Sequence, residues 1–90
     1  MRRHVDHKVP GGKLLRLEVD LERDVIRSIR ITGDFFMYPE PAITLLEEAL
    51  KGTRTGDVDA VVNRFIEDND VTIIGFGASD LADALRRCQG

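Results

Sequence analysis

The sequence predicts an α+β domain: a small antiparallel sheet, made of an N-terminal β-hairpin and a candidate short third strand, packed by about three helices. Three observations carry this. Residues 15–22 alternate strictly, with Leu15, Leu17, Val19 and Leu21 set against Arg16, Glu18, Asp20 and Glu22, as a half-buried strand with one wet face does. A β-branched stretch, 25–32, follows after only Arg23 and Asp24. From Pro41 onward the apolar spacing changes from two to three and four.

Residues 1–7 are polar and without period, and the expected boundaries are a flexible tail over 1–7 and a single domain over 8–90. Lys8-Val-Pro-Gly-Gly-Lys13 is a loop by composition, with Val9 biased to extended backbone by the following proline. In the second strand Arg27 falls on the same face as Val25, Ile29 and Ile31, so it is expected near a strand end with its head group reaching water. Gly33 and Asp34 stop this strand, and Pro39 and Pro41 lead into a helix. Between these stops lie Phe35, Phe36 and Tyr38, three of the five aromatic residues of the chain. At least one of them is expected to belong to the core and the others to a docking face.

The first helix carries Ala42, Ile43, Leu46, Ala49 and Leu50 at helical spacing and stops at Gly52. Asp57 is the expected N-cap of a second helix with the stripe Val58, Val61, Val62, Phe65 and Ile66. Residues 71–74 are short and β-branched, and read as a third strand or a buried connector. Gly75-Phe76-Gly77 is a turn. Ser79 is expected to cap a last helix whose apolar face is Leu81, Ala82, Leu85 and Cys88.

Ninety residues make one domain with a modest core. A net charge of −3 argues against nucleic acid as the main partner. No apolar run approaches the roughly 20 residues of a membrane helix, so no membrane association is expected. A single cysteine leaves no internal disulfide and suits a reducing, cytoplasmic setting.

No constellation supports catalysis by this chain alone, and no catalytic residue is assigned. His4 and His7 lack an anchored third ligand, so no metal site is expected. Gly75-Phe76-Gly77 has no third glycine in place for a dinucleotide fingerprint. Gly11-Gly12-Lys13 is no Walker A loop, because Leu14 stands where a hydroxyl should meet magnesium. Lys8 and Lys13 nonetheless flank a Gly-rich turn, and two ammonium groups beside exposed N–H donors suit a phosphate or adenylate. Solvated lysines at a strand entrance are the ordinary alternative. Glu47 and Glu48 read as exposed helix positions.

The pairing of Lys8-Val-Pro-Gly-Gly-Lys13-Leu14 with Gly33-Asp34-Phe35-Phe36, in that order around a hairpin, resembles the C-terminal accessory domain of lipoate-protein ligases. Glu47, Leu50 and Gly52 match the end of that family's first helix, and residues 81–85 match its closing helix. The resemblance covers about residues 8–88. It implies a fold like the scaffold and sulfur-acceptor proteins of iron–sulfur assembly. It also implies a non-catalytic subunit that docks on a lipoate-protein ligase catalytic subunit and is needed for ATP-dependent formation of lipoyl-adenylate. Lipoyl-acceptor domains are then indirect partners. ATP, Mg and lipoate are used by the complex, and nothing is expected to bind the chain alone. The chain departs from fused enzymes in lacking the catalytic domain's motifs. Carried residue by residue, the resemblance puts Lys8, Gly11, Gly12 and Lys13 at the nucleotide side. Gly33, Asp34, Phe35 and Phe36 come to the pivot, facing the partner together with Tyr38. A competing reading is a scaffold or sulfur carrier of the iron–sulfur type, for which Cys88 is the only candidate group. A third is a stand-alone small-molecule binding domain.

Overall fold

The alternating stretch is the middle of a sheet. The computed structural model describes residues 2–11 and 13–89. In it β1 (Arg2–Lys8), β2 (Leu14–Glu22) and β3 (Val25–Gly33) form an antiparallel sheet in that order. Leu15, Leu17, Val19 and Leu21 of β2 are buried, and each contributes about 1.5–3 kcal/mol over an exposed position. The register sets Leu17 between Val5 and Ile31, both buried on the same face. The opposite face carries His4, Asp6, Arg16, Glu18, Arg30 and Thr32, all exposed. The sheet is therefore one-sided, as the period-two pattern requires.

The expected flexible tail over 1–7 is corrected: these residues, with Lys8, pair with β2 from Arg2↔Asp20 to Lys8↔Leu14. Two interactions supply what composition hides. Val5 is buried in the core, and the outward side chains meet opposite charges on β2, with Asp6 lying 3.6 Å from Arg16. Pairing also places His4 and His7, an odd number of residues apart, on opposite faces. His4 bonds Asp6 at 2.9 Å, while His7 Nδ1 accepts from Arg87 Nη1 at 3.1 Å. Arg87 also reaches the carbonyl of Asp6 on the outer edge of β1, at 3.4 Å.

The irregular face of the second strand is a β-bulge. The register passes from Asp20↔Ser28 to Leu21↔Ile26, leaving Arg27 without an opposite residue. The extra residue re-phases the strand, so Ile26 rather than Val25 joins Ile29 and Ile31 in the core. Arg27 lies near the strand end as expected, and pairs with Glu22 at 2.5 Å. The hairpin turns through Arg23 and Asp24, with Arg23 at φ +59°, a conformation glycine normally supplies.

Three helices cover the inner face. α1 (Ala42–Leu50) lies against β3 through Ala42, Leu46 and Leu50. Its end is set by Lys51 as C-cap and Gly52 at φ +82°, whose N–H reaches Ile26 O at 2.7 Å. Glu47 is not a simple exposed position: half-buried, its Oε2 accepts the Ile31 N–H at 2.7 Å on the outer edge of β3. A single 3₁₀ turn (Thr55–Asp57) leads into α2 (Val58–Asn69), which packs on α1 and α3 through Val58, Val62 and Phe65. Asp57 occupies the N-cap position without a side-chain bond. α3 (Ala78–Gln89) packs against β1 and α2. Its start corrects another expectation. Ser79 lies inside the first turn, and Asp80 instead accepts from the Gly77 N–H at 2.7 Å, the reciprocal half of a capping box.

The stretch 71–74 does form a strand, but outside the main sheet. β5 (Thr72–Ile74) pairs antiparallel with β4 (Phe36–Tyr38) as a separate ribbon, Phe36 opposite Ile74 and Tyr38 opposite Thr72.

Two substitutions test the backbone logic. A Cβ on Gly33, at φ +140°, would stand 2.2 Å from the Leu14 carbonyl oxygen. Gly33→Ala is expected to cost about 2–4 kcal/mol in denaturant unfolding. Arg23→Gly relieves a left-handed residue and is expected to raise stability by about 0.5–1 kcal/mol with an unchanged denaturant slope.

Candidate functional site

The loop closing β1 and β2 spans residues 9–13. The Val9 N–H donates to Lys13 O at 2.8 Å, and the Val9 side chain is buried. This anchors the loop on its own sheet and leaves Lys8 and Lys13 exposed on either side. Gly11 sits at φ +104° with open space where a Cβ would be, so a ligand can approach its backbone closely. Gly12, also expected at the nucleotide side, lies outside the described residues. The Val9 N–H is consumed internally and Pro10 has none. The loop's attraction for an anion therefore rests chiefly on the two ammonium groups.

Folding brings the second half of the sequence signature to the same end of the sheet. The Asp34 N–H donates to Leu14 O at 2.9 Å, and Gly33 passes so close to that oxygen that no side chain fits. Leu14 directly follows Lys13. The pivot and the lysine loop are thus joined through one carbonyl group, although twenty residues separate them.

The five residues expected at the pivot or partner face have different duties. Gly33 serves the backbone approach. Asp34 is exposed and carries the linking N–H. Phe35 is half-buried, its ring edge-on to Phe76 with centroids 4.9 Å apart, so it belongs to the core. The Asp34–Phe35 backbone packs on Gly75, where an added Cβ would come within 2.9 Å of Asp34 O. Phe36 and Tyr38 point the other way from the buried Met37 and are 63% and 54% exposed. Ile74, opposite Phe36, is 53% exposed and was not marked out by the sequence, because its role depends on a pairing 38 residues distant. Beside this ribbon runs an open groove of about 340 Å³, walled by Ile31, Thr32, Gly33, Phe35, Tyr38 and Ile43, with Glu40 at its edge.

The arrangement offers two functions side by side: a cationic loop suited to phosphate oxygens, and an aromatic ridge suited to a protein surface. Among the described residues no three His, Cys, Asp or Glu side chains converge as metal ligands. No helix among them is long and apolar enough to cross a membrane. Cys88 is buried in the core, and burial pushes its thiol above the ordinary range. A sulfur acceptor or cluster ligand needs the opposite setting.

With that geometry in hand, the chain can be set beside known proteins. A family model described as bacterial lipoate protein ligase C-terminus matches residues 1–85, and the chain belongs to that family. It is 36% identical over 73 residues to lipoate-protein ligase A subunit 2 of Thermoplasma acidophilum, covering 81% of this chain and 77% of the relative. It superposes with a TM-score of 0.81 on a chain from a structural study of an archaeal lipoylation system. That study describes a bi-partite lipoate protein ligase and its E2 lipoyl domain from Thermoplasma acidophilum. The superposition has 32% identity and covers 96% of each chain.

The buried thiol makes a pH prediction. Its folded-state pKa is raised above the unfolded value, so its contribution to stability is complete below about pH 8.5 and is lost as pH rises through the folded value. Alkylation of native protein at pH 8 is expected to be slow, and to become fast in denaturant. Fast labelling of native protein would revive the sulfur-carrier reading.

Proposed function

We propose that this chain is the non-catalytic accessory subunit of a two-polypeptide lipoate-protein ligase, needed for ATP-dependent activation of lipoate to lipoyl-adenylate. The observation that carries this reading is the near end-to-end match, 96% of each chain, to a chain from the bi-partite ligase study. Family membership and the likeness to a ligase subunit 2 support it independently.

The physical role follows from the loop at residues 9–13. Adenylation builds negative charge on phosphate oxygens in the transition state, and ammonium groups held there lower its energy. Lys8 and Lys13 stand on a loop anchored by the buried Val9 and by the Leu14 carbonyl, so their stems leave a fixed platform. Closing this end of the domain over a catalytic subunit also excludes water from the mixed anhydride, which water would hydrolyse. Mg²⁺ and ATP enter as ligands of the complex. The residues of this chain supply no carboxylate cage for the metal, and its part is charge and closure. Lipoyl-acceptor domains meet the complex after activation, at the catalytic subunit.

Mixing the chain with a lipoate ligase catalytic subunit from the same source is expected to give a complex and to switch on lipoate-dependent ATP–pyrophosphate exchange. Lys13→Ala is expected to cut that exchange by about tenfold or more while transfer from preformed lipoyl-adenylate stays nearly intact. Equal losses in both half-reactions would contradict the role given to the loop, and exchange unaffected by the chain would contradict the role given to the protein.

A further inference from the structure

We infer that the exposed face of the β4–β5 ribbon is the docking ridge of this chain, and that it seats in an apolar depression rimmed by Lys and Arg on the catalytic subunit. The inference rests on the accessory-subunit reading and deepens it by naming the surface and the chemistry of its counterpart.

Two independent observations meet at this ribbon. The first is apolar. The exposed large hydrophobic residues among those described are Phe36, Tyr38, Leu45 and Ile74, and three of the four stand on this one two-stranded element. Phe36 and Tyr38 share a face by strand alternation, and register puts Ile74 directly beside Phe36. The core is already closed beneath them by Met37 and by the Phe35–Phe76 pair, so the ridge does no packing within its own domain. A specific interface covers about 800 Å² on each partner. Three side chains are too few for that, but they suit its dehydrated centre, where aromatic residues dominate binding.

The second observation is electrostatic. Both strands come from stretches without a single Lys, Arg or His: residues 31–50 hold four acidic residues, and residues 65–85 hold five. Asp34, Glu40 and Asp70, all exposed, lie within two residues of the ribbon's ends, and Glu40 is the only charged residue lining the groove. The basic charge is elsewhere: residues 1–16 hold five Lys or Arg and one acidic residue. An acidic rim around an aromatic centre selects its occupant. A second copy docking ridge to ridge about a two-fold axis would set like charges against one another. Anionic lipid and nucleic acid are repelled for the same reason. What remains favourable is a protein surface with basic residues around an apolar depression. The ridge and the lysine loop lie at the same end of the sheet, so one docked orientation presents both to the same subunit.

The test measures binding of the full chain to the catalytic subunit by titration at low and high salt. Phe36→Ala combined with Ile74→Ser is expected to weaken the complex at least about thirtyfold with an unchanged thermal midpoint. Glu40→Lys is expected to slow association at low salt, with the difference from wild type vanishing near 1 M salt, where the Debye length falls to about 3 Å. Asp59→Lys, at the far end of α2, is expected to do neither. Wild-type affinity in the Phe36/Ile74 variant would overturn the ridge while leaving the accessory-subunit reading intact. A wild-type chain that forms no complex would overturn that reading and the ridge with it. Self-association of the wild type that disappears in the double variant would make a second copy the occupant, and so overturn the inference.

Discussion

Everything at the working end of this domain depends on one backbone contact: the Asp34 N–H on the Leu14 carbonyl, reached because Gly33 has no side chain. That contact fixes where β3 ends and sends the chain away from the sheet into β4. It also braces the start of β2, and with it the loop that carries Lys8 and Lys13. The register above it, Leu15↔Gly33 and Leu17↔Ile31, continues into the hydrophobic core. A local demand for glycine thus sets the relative position of two surfaces that the chain lays down far apart.

Most of the inner layer was legible in the sequence because the physics there is local. Alternation marked β2, helical stripes marked α1 to α3, and Gly52 marked the first helix end. What was missed depends on partners distant in the chain. β1 escaped because only Val5 and Val9 of its stretch point inward as apolar residues, and the remaining side chains are charged or imidazole. Its stability comes from pairing with a strand that was recognised. Arg27 looked like a flaw in the pattern, and its meaning as a bulge appears only against the opposite strand. Ser79 looked like a cap on residue type, but Asp80 and Gly77 have the geometry for it. The ribbon of β4 and β5 is a contact between loops that no short window can contain.

The candidate site was legible in part. The sequence singled out the lysine loop and the aromatic stretch, and folding brings them to one end. It could not divide the aromatic residues. Phe35 and Phe36 are neighbours of the same type, yet strand alternation and the position of Phe76 send one to the core and leave the other in water. Ile74 needed its partner strand to acquire significance, and Glu47 needed the edge of β3.

The two long edges of the main sheet are met by opposite charges matched to opposite backbone groups. Glu47 accepts an outward N–H of β3, and Arg87 donates to an outward carbonyl of β1. Each helix lends one long side chain to occupy a hydrogen-bonding position that another chain's strand would otherwise fill. The main sheet is thus discouraged from growing sideways into a fibre-like stack or a swapped pair. Recognition is left to side chains on the small ribbon, where affinity can be adjusted one residue at a time without opening the sheet to every passing strand.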